Sequence, residues 1–156
     1  MEIKITSWSG LRTIWGSSFY PQWFVIKNCP LLTEMVLNSI AIMIASAKGE
    51  GDHYIFSHRS RIPYSNFVIA GEKAAFVLLE EQGSCWAEVV YVLRRNDNGD
   101  MEGRRYTSGL GSSDPQSYPS HYRYNIWEEN GRAILKIQTK EHQGKGGLTE
   151  KKVVLF

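Results

Sequence analysis

The dipeptide Asn130-Gly131 stands between two runs of alternating apolar and polar residues, 121–129 and 132–140. Asn-Gly suits a two-residue hairpin loop, because both central residues of that turn need positive φ. The loop sets a register: Glu129 opposite Arg132, Trp127 opposite Ile134, Asn125 opposite Lys136, Arg123 opposite Gln138 and His121 opposite Lys140. Side chains alternate along a strand, so these residues share one face. The other face collects Tyr122, Tyr124, Ile126, Ala133, Leu135 and Ile137 and reads as core. His121 and Arg123 then project beside Lys136, Gln138 and Lys140, a polar surface suited to an anion or an acidic partner.

The same punctuation runs through most of the chain. Strands are expected at Gln22–Ile26, His53–Ser57, Asn66–Ala70, Lys73–Glu81, Cys85–Arg95, Met101–Thr107, His121–Glu129, Arg132–Lys140 and Leu148–Phe156, after a first strand in "MEIKIT". The separators "AGEK", "EQGS", "DNGD", "ENGR" and "QGKGG" are turn signals, and short connections imply antiparallel hairpins. With Asn98-Gly99 as a second two-residue loop, Arg95 faces Glu102, and Arg94-Arg95 lies close to Arg104-Arg105. The run from Cys85 to Arg94 is half apolar on both faces, which marks a central strand. The polar run Ser108–Ser120 is a long crossing between hairpins.

One segment departs from the alternation. From Leu31 to Lys48 the polar or small positions Glu34, Asn38, Ala41, Ala45 and Lys48 step by three or four, the helical period. Pro30 suits the helix start and Gly49 its stop. The apolar remainder must lie against a sheet. The β-branched residues of "SIAIMIA" make a strand the rival reading. The fold class expected is therefore α+β, one main helix on a strongly curved, mostly antiparallel sheet of hairpins. At 156 residues a single domain, 1–156, is expected.

Five Trp, eight Tyr and six Phe supply enough apolar area to exclude a disordered chain. Trp8, Trp15, Phe19, Tyr20, Trp23 and Phe24 cluster early, either as core or as an aromatic patch for a partner. A net charge of +2 lacks the basic excess of most nucleic-acid proteins, so nucleic acid is not the favoured partner. The apolar stretch Leu31–Ala47 is interrupted and short for a membrane span, and "MEIKITSWSG" lacks an apolar signal core. Two cysteines, Cys29 and Cys85, make no disulfide framework and fit a reducing, cytoplasmic setting.

No catalytic constellation is complete. "GSCWA" around Cys85 lacks the preceding Cys, the following helix and the downstream length of a papain-like site. The four histidines show no metal-ligand spacing, so neither metal nor cofactor is expected. "HQGKGG" lacks the spacing of a phosphate-binding loop. His58, in "SHRSR" with Arg59 and Arg61, could pair with His121 as acid and base on a phosphodiester. That ribonuclease-like reading is the alternative, and a cup-shaped pocket for a small ligand is a third.

The reading favoured by the sequence is a small binding module of inhibitor, immunity or accessory type. Arg59, Arg61, Arg94, Arg95, Arg104, Arg105, Tyr118, Arg123, Lys136 and Lys140 are its candidate contacts for an acidic protein surface or a phosphorylated ligand. "TEKKVVLF" could pair with "MEIKIT" within the chain or across two copies, which would make a homodimer.

Overall fold

The computed structural model describes residues 1–8, 12–14, 17–46, 60–61, 66–82, 85–108, 122–139 and 149–156. In chain order the elements are β1 (Glu2–Trp8), β2 (Arg12–Ile14), β3 (Ser17–Lys27), α1 (Glu34–Ser46), β4 (Ser60–Arg61) and β5 (Phe67–Ala70). They continue with β6 (Lys73–Gln82), β7 (Cys85–Arg95), β8 (Met101–Ser108), β9 (Tyr122–Glu129), β10 (Arg132–Thr139) and β11 (Thr149–Val154). The class is α+β with antiparallel pairing throughout. The run 53–57 lies outside the described residues.

The strands form two sheets, where the sequence pattern led us to expect one curved sheet. The larger has the order β1-β3-β8-β7-β6-β4, with β2 on β3 and β5 on β6; the smaller is β11-β10-β9. Neither order returns on itself, so the helix is not enclosed by a curled sheet. The reason for two sheets lies in β6 and β7, whose alternate residues are apolar on both faces. Phe76, Leu78, Val89, Tyr91 and Leu93 pack with Leu37, Ile40 and Ile44 of α1. Ala75, Val77 and Val90, on the opposite face, pack with Tyr124, Ile126, Ala133, Leu135 and Ile137 of the small sheet. A sheet apolar on both faces needs two covers, and the chain supplies a helix and a hairpin.

The small sheet keeps the expected register. Glu129 pairs with Arg132, Trp127 with Ile134, Asn125 with Lys136 and Arg123 with Gln138. Asn130 and Gly131 take φ of 52° and 76°, the doubly positive turn that Asn-Gly favours. One side chain ties this sheet to the larger one. Buried Asn66 donates from Nδ2 to the Tyr124 carbonyl at 3.1 Å and accepts from Ile126 N–H at 2.8 Å. An asparagine amide thus stands in for a neighbouring strand on the open edge of β9.

Four further expectations are corrected. The helix starts at Glu34, not beside Pro30. Thr33 caps it, its Oγ1 accepting from Val36 N–H at 3.2 Å. The face turned inward carries Leu37, Ile40, Ala41 and Ile44, while Met35 is 80% and Ile42 68% exposed. Ala41, expected outside, is buried because its small side chain lets helix and sheet approach.

Next, β3 runs through Pro21 although it has neighbours on both sides. β1 covers it only as far as Gln22, and β2 covers Ser17–Phe19. Pro21 falls between the two, where the missing N–H interrupts no pairing on that edge.

Last, the β7–β8 loop is one residue longer than two. Asn96 N–H bonds the Asp100 carbonyl at 2.8 Å, and Gly99 N–H bonds the Asn96 carbonyl at 3.0 Å. The Asn96 side-chain oxygen accepts from Asn98 and Asp100 N–H, both at 3.0 Å, and Gly99 takes φ +83°. Arg94, not Arg95, therefore faces Glu102, and Arg95 faces Met101.

Candidate functional site

That shift re-pairs the arginines across the hairpin. Arg94 and Arg104 share the face that also carries Val90 and Val92; Arg95 and Arg105 lie on the helix face. Arg105 is buried, and its Nε donates to the Tyr91 hydroxyl at 2.9 Å. Arg95 is a clasp: its Nε meets Glu72 Oε2 at 2.7 Å, and its other nitrogens donate to the carbonyls of Cys29, Gly99 and Pro30 at 3.0, 2.9 and 2.6 Å. It thus joins the β5–β6 turn, the segment before α1 and the β7–β8 loop.

Glu72 completes the clasp by accepting Leu32 N–H at 3.2 Å. Burial alone would raise its carboxyl pKa, but the hydrogen bond from Arg95, the Leu32 amide and the Arg95 charge outweigh that and hold it below the ordinary value. The hydrogen bond it donates to Glu72 is the main reason the Arg95 guanidinium is pushed up in turn. Burial raises the Cys29 thiol pKa against the pull of Arg95.

Beside the clasp lies a cleft of about 430 Å³, lined by the turn Ala70, Gly71, Glu72 and Lys73, by Arg94 and Arg95, and by Gly131 and Phe156. Lys73 and Arg94 are direct partners across β6 and β7 and point to the same face. Like charges set opposite one another are unfavourable. The nearby carboxylates are engaged elsewhere: Glu72 with Arg95, Glu102 with Asn96 Nδ2 at 3.1 Å, and Glu128 with Gly131 N–H at 2.6 Å. Among the described residues, no carboxylate lies within ion-pair distance of Lys73 or Arg94. Lys73 Nζ sits 5.9 Å from the centroid of the Phe156 ring.

On the same face, Arg104 stacks on Trp23, its guanidinium carbon 4.0 Å from the indole centroid. The early aromatic cluster is thereby split: Phe24 is core, and Trp23 forms a half-buried shelf on the opposite face.

The remaining candidates are not gathered here. Lys136 is half-buried on the outer face of the small sheet, opposite Lys152. Arg61 lies in β4 and Arg123 in β9. His58, Arg59, Tyr118, His121 and Lys140 lie outside the described residues. Lys73 was not among the candidates, although the sequence turn signal "EQGS" implies its register: Gln82 opposite Cys85 carries through to Lys73 opposite Arg94.

Among the described residues there is no cluster of His, Cys, Asp and Glu that could hold a metal ion, and no helix is long and apolar enough to cross a membrane. No protein-family model, no curated protein and no solved structure matches this chain.

Proposed function

We propose that this protein is a binding module whose cleft takes an anionic group, a phosphate or a carboxylate, from its ligand or partner. The observation that carries the reading is the Lys73–Arg94 pair: two like charges held opposite each other at a cleft mouth, with the neighbouring carboxylates engaged elsewhere. An anion between them relieves the repulsion and receives charge-assisted hydrogen bonds from both. Gly71 and Gly131 keep the walls low at two turns, so the group can approach the backbone. The module is non-enzymatic in this reading, because the carboxylate of the lining, Glu72, is taken up by Arg95 and the Leu32 amide and the cleft otherwise offers cations and an aromatic wall.

Titration calorimetry with pyrophosphate tests it. Lys73→Ala and Arg94→Ala are each expected to weaken binding about tenfold, roughly the 1.4 kcal/mol of one charge-assisted contact. Wild-type binding should also weaken as salt is raised. Equal affinity in wild type and both variants would show that the anion binds elsewhere.

A further inference from the structure

We propose that the ligand is a nucleoside phosphate, its phosphate between Lys73 and Arg94 and its base stacked on the Arg104 guanidinium; this rests on the anion reading of the cleft. Lys73 pairs with Arg94, and Arg104 pairs with Val92, two residues along β7 from Arg94. Arg94 and Arg104 are thus diagonal neighbours on one face, a separation of about 7–8 Å between backbones. That is the scale of one sugar between a phosphate and a base. Glu102, the cross-strand partner of Arg94, is drawn to the adjoining loop by Asn96 and leaves the path between the two arginines uncrossed by an ion pair.

The two stations differ in chemistry, and the difference selects the ligand. Lys73 and Arg94 are exposed cations at a concave site, suited to a compact charge. Arg104 is exposed, and its guanidinium carbon lies 4.0 Å over the Trp23 ring. The indole backs one side of the guanidinium, and the exposure of Arg104 leaves the other side open to a ligand. A planar guanidinium backed by an aromatic ring accepts a base by stacking, whichever base it is. A carboxylate chain would use the edge of the guanidinium and would gain nothing from its plane.

Calorimetry with inorganic phosphate, adenosine monophosphate, adenosine and an oligoglutamate peptide separates the possibilities, using the full chain. The nucleotide is expected to bind at least tenfold more tightly than phosphate. Arg104→Lys, which keeps the charge and loses the plane, is expected to reduce that ratio to within about twofold while phosphate affinity is unchanged; Arg104→Ala should do the same. Circular dichroism of both variants checks that the sheet is intact. Equal binding of nucleotide and phosphate overturns the nucleotide assignment and leaves the anion cleft standing. Tighter binding of oligoglutamate than of nucleotide overturns it in favour of an acidic protein partner. Absence of binding by all four probes overturns both readings.

Discussion

Arg95 Nε reaches Glu72 Oε2 at 2.7 Å, and through that contact the β5–β6 turn, the approach to α1 and the β7–β8 loop share one anchor. The guanidinium satisfies three backbone carbonyls as well as the carboxylate. Arg95→Ala is expected to destabilise the fold by about 2–3 kcal/mol, because it leaves a partly buried carboxylate and several carbonyls without their donor. Arg95→Lys should recover only part of this, since one ammonium cannot match the planar fork. Urea unfolding of the three proteins measures both.

The same contact sets a pH dependence. The Glu72 carboxyl lies below its ordinary value in the folded protein. Its contribution is therefore complete above the carboxyl range of the unfolded chain and disappears as pH falls through the lowered folded value. Glu72→Gln is expected to unfold at lower temperature than wild type near neutrality, with the gap closing on acidification. Thermal melts across pH 2–7 read the difference.

Asn66 bonds both the carbonyl of Tyr124 and the amide of Ile126, and its burial makes those bonds costly to lose. Asn66→Ala should cost about 2–3 kcal/mol. Amide exchange at Ile126 should accelerate more than exchange at Leu135 on β10, which keeps its strand partners. Equal acceleration at both would show that the small sheet is not held by this edge.

Gly103 lies opposite Phe24 across β3 and β8, and a Cβ at Gly103 would overlap Phe24 Cζ. Phe24 is almost completely buried, so the ring has nowhere to withdraw. Gly103→Ala is expected to cost about 1–3 kcal/mol by overpacking. The double variant Phe24→Leu with Gly103→Ala should cost less than the sum of its singles, which a denaturant double-mutant cycle measures.

Lys73 opposite Arg94 predicts a trade between stability and binding. Lys73→Ala is expected to raise stability by about 0.2–0.5 kcal/mol at low ionic strength by removing a like-charge pair. The gain should shrink as salt screens the repulsion. Denaturant midpoints at low and high salt check it, and the same variant should lose affinity for pyrophosphate.

The β9–β10 hairpin was legible from Asn130-Gly131 alone, because that dipeptide settles the turn and the turn settles every facing pair. The β6–β7 register was available from the sequence turn signal "EQGS", and with it the Lys73–Arg94 pair. The β7–β8 register was not: Asn98-Gly99 looks the same in a two-residue loop, and only the hydrogen bonds made by the Asn96 side chain reveal the extra residue. One residue of slip exchanged the faces of Arg104 and Arg105 relative to β7, so that Arg94 shares a face with Arg104 and Arg95 with Arg105.

The sequence by itself determined the antiparallel hairpins, the presence of the helix and the core face of β9 and β10. Those features depend on local turn chemistry and on the period of apolar residues, which neighbours in the chain decide. Only the tertiary structure decided that the strands divide into two sheets, that α1 presents Ala41 inward and Met35 outward, and that Arg95 is a clasp while Arg94 is open. These outcomes depend on which apolar face finds which cover, and on carbonyls brought to one guanidinium from segments far apart in the chain. A charged residue reads the same in sequence whether its partner is a buried carbonyl or an incoming anion, and packing alone separates the two.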